Sequence, residues 1–226
     1  MNGEFLEGCA EEAYGLSPLQ AGMLFHSLYG RRPGVDIEQL LAELDEDLNL
    51  PAFQWAWRRV VERHAILRTG FRWEKLEQPQ QEVNRDVRLH WEFKDWSGLA
   101  RPEQKLRLEA HLQADRRRGF NLTVAPLMRL AVMRVDPSEY WLVWTFHHLL
   151  LDGRAVVVVL NDLFAFYEAH CAGYRLELQK PPPYRDYIEW LQRQDWSGAE
   201  GFWRRTLAGF ASPTFMAVGA AIGSRR

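Results

Sequence analysis

The 226-residue chain reads as an α/β protein, a mixed sheet flanked by helices. Three observations point there. Several short segments alternate apolar and polar side chains with period two, the pattern of half-buried strands. Between them run longer segments whose apolar residues recur at helical spacing. The strand candidates are amphipathic and not evenly apolar, which favours a mixed sheet covered on one face over a doubly wound parallel sheet.

Residues 1–13 are acidic and read as an N-terminal tail. Ser17 then offers an N-cap, Pro18 suits a first helical turn, and Gln20 completes a capping box, so a helix is expected over Pro18–Tyr29. Residues 35–44 read as a strand with imperfect alternation. Pro51 opens a helix whose stripe is Phe53, Trp57, Val60, Val61 and His64. Leu67, Thr69, Phe71 and Trp73 alternate with Arg68, Gly70 and Arg72, and Val87, Leu89, Trp91 and Phe93 alternate again, giving two strands. Arg101–Arg118 is a charged helix stopped by Gly119; Arg116, Arg117 and Arg118 in its last turn suit the helix dipole. Residues 127–135 and 140–148 are apolar strands joined by the turn Asp136-Pro137-Ser138.

Asp152-Gly153 admits a tight hairpin or the N-cap of a buried helix; the spacing of Val156, Leu160, Leu163, Phe164 and Tyr167 selects the helix, running to residue 172. Pro181-Pro182-Pro183 is a stiff break, followed by helices over 184–195 and 199–207. The body of the protein is thus expected over 14–210, with 211–226 a small, apolar, Gly-rich tail.

Composition excludes several classes. Lys+Arg 28 against Asp+Glu 30, net −2, lacks the basic excess of a nucleic-acid binder. Hydrophobic residues at 47% and charged residues at 26% mark a globular chain. Two cysteines, Cys9 and Cys171, fit a reducing, cytoplasmic setting. No apolar run approaches the ~20 residues that span a bilayer, and the N-terminus lacks a signal-peptide layout. No Gly-rich phosphate loop and no Cys pair for zinc is present, so neither nucleotide nor metal is expected.

The stretch TFHHLLLDGRA, residues 145–155, carries the chemistry. On a strand, His147 and His148 point to opposite faces and cannot do the same work. An imidazole at a strand end can accept or donate a proton near neutral pH. The structural alternatives are a satisfied core histidine and, for Asp152, a helix cap. A His148/Asp152 metal pair lacks a third ligand.

HHLLLDG resembles the HHxxxDG signature of condensation domains of nonribosomal peptide synthetases, whose looser HxxxDG form is shared with chloramphenicol acetyltransferase and other acyl-CoA-dependent acyltransferases. Three further segments agree in order: LSPLQAGMLFHSL resembles the family's first motif, RHAILRTGF (63–71) its second, and YRDYIEWL (184–191) its fourth. FNLTVAPLMRLAVMRV and FWRRTLAGF read like its connecting segments, so the resemblance covers roughly 14–214. It implies a chloramphenicol acetyltransferase-like N-terminal subdomain, half of a two-lobed condensation domain with a tunnel between the lobes.

The implied reaction is aminolysis of an aminoacyl or peptidyl thioester. No cofactor binds directly; both substrates ride on phosphopantetheine arms of donor and acceptor peptidyl carrier proteins. His148 is implied as the catalytic residue, either as general base or as an orienting, charge-stabilising group. His147 and Asp152 are implied as structural, Asp152 pairing with Arg68 or, second, Arg63. Gly153 is implied to relieve crowding near the thioester. The first motif is implied to contact substrate through Ser17, Gln20 and Met23.

The sequence departs from the family at Phe146, where Met is frequent, and it lacks the later motifs, including an IGxFVNT-like segment. The chain is therefore expected to be one lobe, with little condensation activity without a C-terminal lobe or neighbouring synthetase domains, and with an uncovered apolar face that favours self-association. Two other readings remain at this level: a non-catalytic module that docks carriers, and a coenzyme A-dependent acyltransferase.

Overall fold

The computed structural model describes residues 10–30 and 34–212. The chain divides into two compact units, Met1–Glu189 and Trp190–Arg226. In the first, the elements run β1 (Ala10–Gly15), α1 (Pro18–Tyr29), β2 (Ile37–Leu44), α2 (Leu50–Arg63), a 3-10 turn (Ala65–Arg68), β3 (Thr69–Arg72), β4 (Gln80–Asn84), β5 (His90–Asp95), α3 (Arg101–Arg118), β6 (Met128–Asp136), β7 (Glu139–His147) and α4 (Gly153–Cys171). The boundary between units falls inside α5 (Tyr184–Gln192), and the second unit holds α6 (Ser197–Thr206).

Local chemistry sets the helix starts. Ser17 Oγ accepts from the Gln20 N–H at 3.2 Å while Gln20 Oε1 accepts from the Ser17 N–H at 3.0 Å, a complete capping box for α1. Asn49 caps α2 through the Ala52 N–H at 3.1 Å, and Asp152 caps α4 through the Ala155 N–H at 2.8 Å. The expected helices over Pro18–Tyr29 and Arg101–Arg118 are observed as such.

Two sheets form. One is antiparallel, in the order β1-β4-β3; the other is mixed, in the order β2-β7-β6-β5, with β5 parallel to β6 and the other pairs antiparallel. Helices flank the mixed sheet on both sides, not one, because its central strands β6 and β7 bury both faces. Leu142, Trp144 and Phe146 enter the main core with Phe53, Trp57 and Val60 of α2 and Leu163 and Phe166 of α4. Trp57 and Trp144 meet edge to face at 5.0 Å. On the opposite face Trp141 and Val143 join Ala131, Met133, Trp96 and Leu108 of α3. A strand buried on both sides needs no polar alternate, which is why one-face coverage does not hold.

Other expectations shift. Ala10–Gly15 is a strand paired with β4, so the boundary expected at 13/14 cuts through an element. β4 has no counterpart among the expected strands: its sequence QQEVN is polar, yet Gln81 is fully buried because its amide donates to the Gly15 carbonyl at 2.8 Å and to Gln20 Oε1 at 3.2 Å. The strand expected through Val87 and Leu89 begins only at His90. Leu67 and Arg68 belong to the 3-10 turn and not to β3. The tail expected over 211–226 lies outside the described residues beyond position 212. Among the described residues no helix is long and apolar enough to cross a membrane.

Candidate active site

β7 ends at His147, and the chain turns through 148–151 before Asp152 starts α4. The two imidazoles part at this point. His147 is 4% exposed. Its Nδ1 accepts from the Leu149 N–H at 3.2 Å, so the neutral ring carries its hydrogen on Nε2, which lies 3.4 Å from Ser27 Oγ. The Ser27 hydroxyl donates to Asp36 Oδ2 at 2.7 Å. Burial lowers the His147 pKa to about 4, only partly opposed by the Asp36 carboxylate.

His148 is half-buried and lines an open cleft of about 520 Å³ with Glu38, Gln39, Leu40 and Leu41 of β2, Phe146, Leu151, and Asp152, Gly153 and Val156 at the start of α4. Its Nδ1 lies 2.7 Å from the Leu151 carbonyl, which can only accept. The hydrogen of a neutral His148 therefore sits on Nδ1, and Nε2 keeps a lone pair with no partner among the described residues. Its own N–H donates to the Asp36 carbonyl at 2.8 Å, fixing the turn to the entrance of β2.

The expected pairing of Asp152 with an arginine is not found. Asp152 is exposed and spends its carboxylate on capping α4. Arg68 instead binds Glu11 at 3.1 Å, the Val61 carbonyl at 3.2 Å and the carbonyls of Asn84 and Arg85, tying the second motif to the end of β4. Arg63 reaches Asp162 of α4 at 2.7 Å and the carbonyls of Leu178 and Gln179; His64, expected as a core residue, shares the same Asp162 oxygen at 2.8 Å. Both arginines lie in reach of other acceptors on α4 and β4, which is what redirects them.

Ser17, Gln20 and Met23 do not line the cleft. Ser17 and Gln20 are buried and form the capping box, and Gln20 Nε2 also donates to the Leu149 carbonyl at 3.2 Å. Met23 packs half-buried against the main core. Gln20 of the first motif thereby holds the carbonyl of the residue that follows His148. Gly153 borders the cleft, and a Cβ there would meet nothing within 4 Å. The fold does not need this glycine, so Gly153→Ala is expected to leave stability unchanged or raise it by up to about 1 kcal/mol. Thermal unfolding checks this; a clear loss of stability would show that the glycine serves the fold and not the open space.

Sequence reasoning missed Ser27, Asp36, Glu38 and Asp162. Only for Ser27 was there a signal, its place within the first motif.

A half-buried imidazole whose Nε2 has no partner among the described residues thus stands at the mouth of a cleft where a strand edge meets a helix N-terminus, in a mixed α/β fold consistent with the chloramphenicol acetyltransferase-like class. The condensation-domain family matches residues 10–217, and the chain belongs to that family. A component of the linear gramicidin synthase of Brevibacillus parabrevis is 46% identical over 215 residues, covering 95% of this chain and 3% of that protein. Bacitracin synthase 1 of Bacillus licheniformis is 34% identical over 202 residues, covering 89% of this chain and 4% of that synthase. Among solved structures, a starter condensation domain of the rhizomide synthetase superposes with a TM-score of 0.81 at 20% identity, covering 92% of this chain and 48% of the other. The cyclization-docking bidomain from Sorangium cellulosum superposes at 0.71 with 22% identity, covering 87% and 39%. The chain therefore spans a small part of its synthetase relatives and about half of the solved condensation domain.

Proposed function

We propose that this lobe supplies the catalytic imidazole for amide-bond formation between two carrier-bound substrates, the amine of an aminoacyl group attacking the thioester of an acyl or peptidyl group. The observation that carries the reading is His148, whose Nδ1 is spent on the Leu151 carbonyl while Nε2 remains a free acceptor at the cleft. Amine attack on a thioester gives a tetrahedral species with a positive nitrogen and a negative oxygen. A neutral imidazole can take the proton from nitrogen as the C–N bond forms, and the thiolate leaves with a proton returned to it. The opening turn of α4 borders the same cleft, and the positive end of its dipole favours the developing oxyanion. Gly153 keeps that approach unobstructed.

Phosphopantetheine-bearing carrier proteins are the proposed partners, and a C-terminal lobe is the proposed second wall of the site. Holding both thioester arms in attack geometry supplies a large part of the barrier reduction, so a polypeptide of these residues alone is proposed to condense poorly. The test is a complete two-lobed domain carrying this lobe, given loaded donor and acceptor carriers. Carrier-bound amide product is the expected result. Absence of product, or equal use of a free coenzyme A thioester as donor, would overturn the reading.

A further inference from the structure

The turn that presents His148 is held by a closed polar circuit with one permitted direction. It begins at Asp36, whose carboxylate can only accept. The Ser27 hydroxyl donates its single hydrogen there, at 2.7 Å. Ser27 Oγ is then left with lone pairs toward His147 Nε2 at 3.4 Å, so that nitrogen must bear the ring hydrogen. His147 Nδ1 is left bare, and the Leu149 N–H fills it at 3.2 Å. The circuit closes through the main chain, where the carbonyl of the same Asp36 receives the His148 N–H at 2.8 Å. The Leu150 N–H returns to the His147 carbonyl at 3.0 Å, completing the turn. One residue on the entrance to β2 thus governs the amides of both 148 and 149, by two different groups.

We propose that Ser27 and Asp36 are positioning residues for His148. They select the Nε2–H tautomer of His147, that tautomer captures the Leu149 amide, and the fixed turn brings His148 Nδ1 onto the Leu151 carbonyl so that Nε2 is the atom offered to the cleft. The inference rests on the proposed function for the use made of His148, but not for the arrangement itself.

The direction of the circuit makes the two variants differ. In Ser27→Ala, His147 Nε2–H has no acceptor. In Asp36→Ala, the Ser27 hydrogen loses its carboxylate and turns to His147 Nε2, which forces the ring hydrogen to Nδ1 and displaces the Leu149 amide. In both, the main-chain carbonyl of residue 36 remains.

The experiment is imidazole nitrogen NMR on the folded 226-residue chain labelled at histidine, with assignments from His147→Gln and His148→Gln. The unmodified chain is expected to show His147 as Nε2–H and His148 as Nδ1–H. Ser27→Ala is expected to lose the single-tautomer signature at both rings. Asp36→Ala is expected to move His147 toward Nδ1–H, and Ser27→Thr, which keeps the hydroxyl, to restore the original spectrum. Either alanine variant that folds carries the test if the other does not. Unchanged His148 signals in a folded alanine variant would overturn the proposal. Catalysis does not enter the measurement, so an inactive domain with these tautomers would sink the proposed function and leave this inference standing.

Discussion

Replacing His148 with alanine in a complete two-lobed domain is expected to lower amide formation about 10²- to 10⁴-fold, the usual contribution of a positioned acid or base. The size follows from the geometry. Among the described residues the His148 ring bonds to the Leu151 carbonyl and presents its other nitrogen at the cleft. Its removal leaves Leu151 at the start of a capped helix, so Asp152, Gly153 and α4 stay in place. Binding of the carriers is therefore expected to survive, and the loss to fall on turnover. His148→Gln, which returns a polar atom near Nε2 but cannot take up a proton, separates an orienting role from a basic one. Recovery of most of the turnover by glutamine would make His148 an orienting group. Full activity in the alanine variant would remove it from the mechanism.

The second large effect concerns His147 and acid. Its folded pKa of about 4 lies below the ordinary value of 6.5, because burial disfavours the charged ring. The unfolded chain binds the proton more readily, so this residue's contribution is fully present above pH 6.5 and is lost as pH falls from there toward 4. Across that window the loss amounts to about 3 kcal/mol. Protonation is also structurally ruinous, since a hydrogen on Nδ1 would displace the Leu149 amide. Burial lowers the His64 and His111 pKa values in the same direction, so both add to the loss of stability as pH falls below 6.5. Urea unfolding followed from neutral to mildly acid pH checks this. His147→Gln is expected to show a visibly shallower dependence, and an identical one would place the acid sensitivity elsewhere.

Legibility in the sequence tracks how local the cause is. The α1 start is readable because Ser17 and Gln20 bond to each other across one turn. The end of β7 is readable to within one residue: the apolar strand expected over 140–148 is observed as Glu139–His147, with His148 in the turn that follows. The partners of Asp152 are not. Arg63 lies 99 residues from Asp162 and Arg68 lies 16 from Asn84, and their choice among acceptors depends on which elements the fold lays beside α2. The resemblance of the first motif implies substrate contacts for Ser17 and Gln20; in the fold both are buried, and Gln20 bonds to Gln81 and to the Leu149 carbonyl.

The polarity of β4 conceals it for the same reason. A glutamine in a buried strand is acceptable only where another chain segment supplies its hydrogen bonds, and Gly15 and Gln20 do so here. The burial of β7 on both faces likewise depends on α3 arriving from one side and α2 with α4 from the other.

By itself the sequence determined the α/β class, the main helices and the apolar central strands, the family resemblance, and the position of the histidine pair, all of which follow from short-range periodicity, capping and motif spacing. Only the tertiary structure decided which imidazole nitrogen is free, which carboxylate each arginine meets, and that Asp36 and Ser27 meet at the turn. Hydrogen-bond direction is set by the nearest acceptor in space, and residues distant along the chain become nearest only once the sheets have formed.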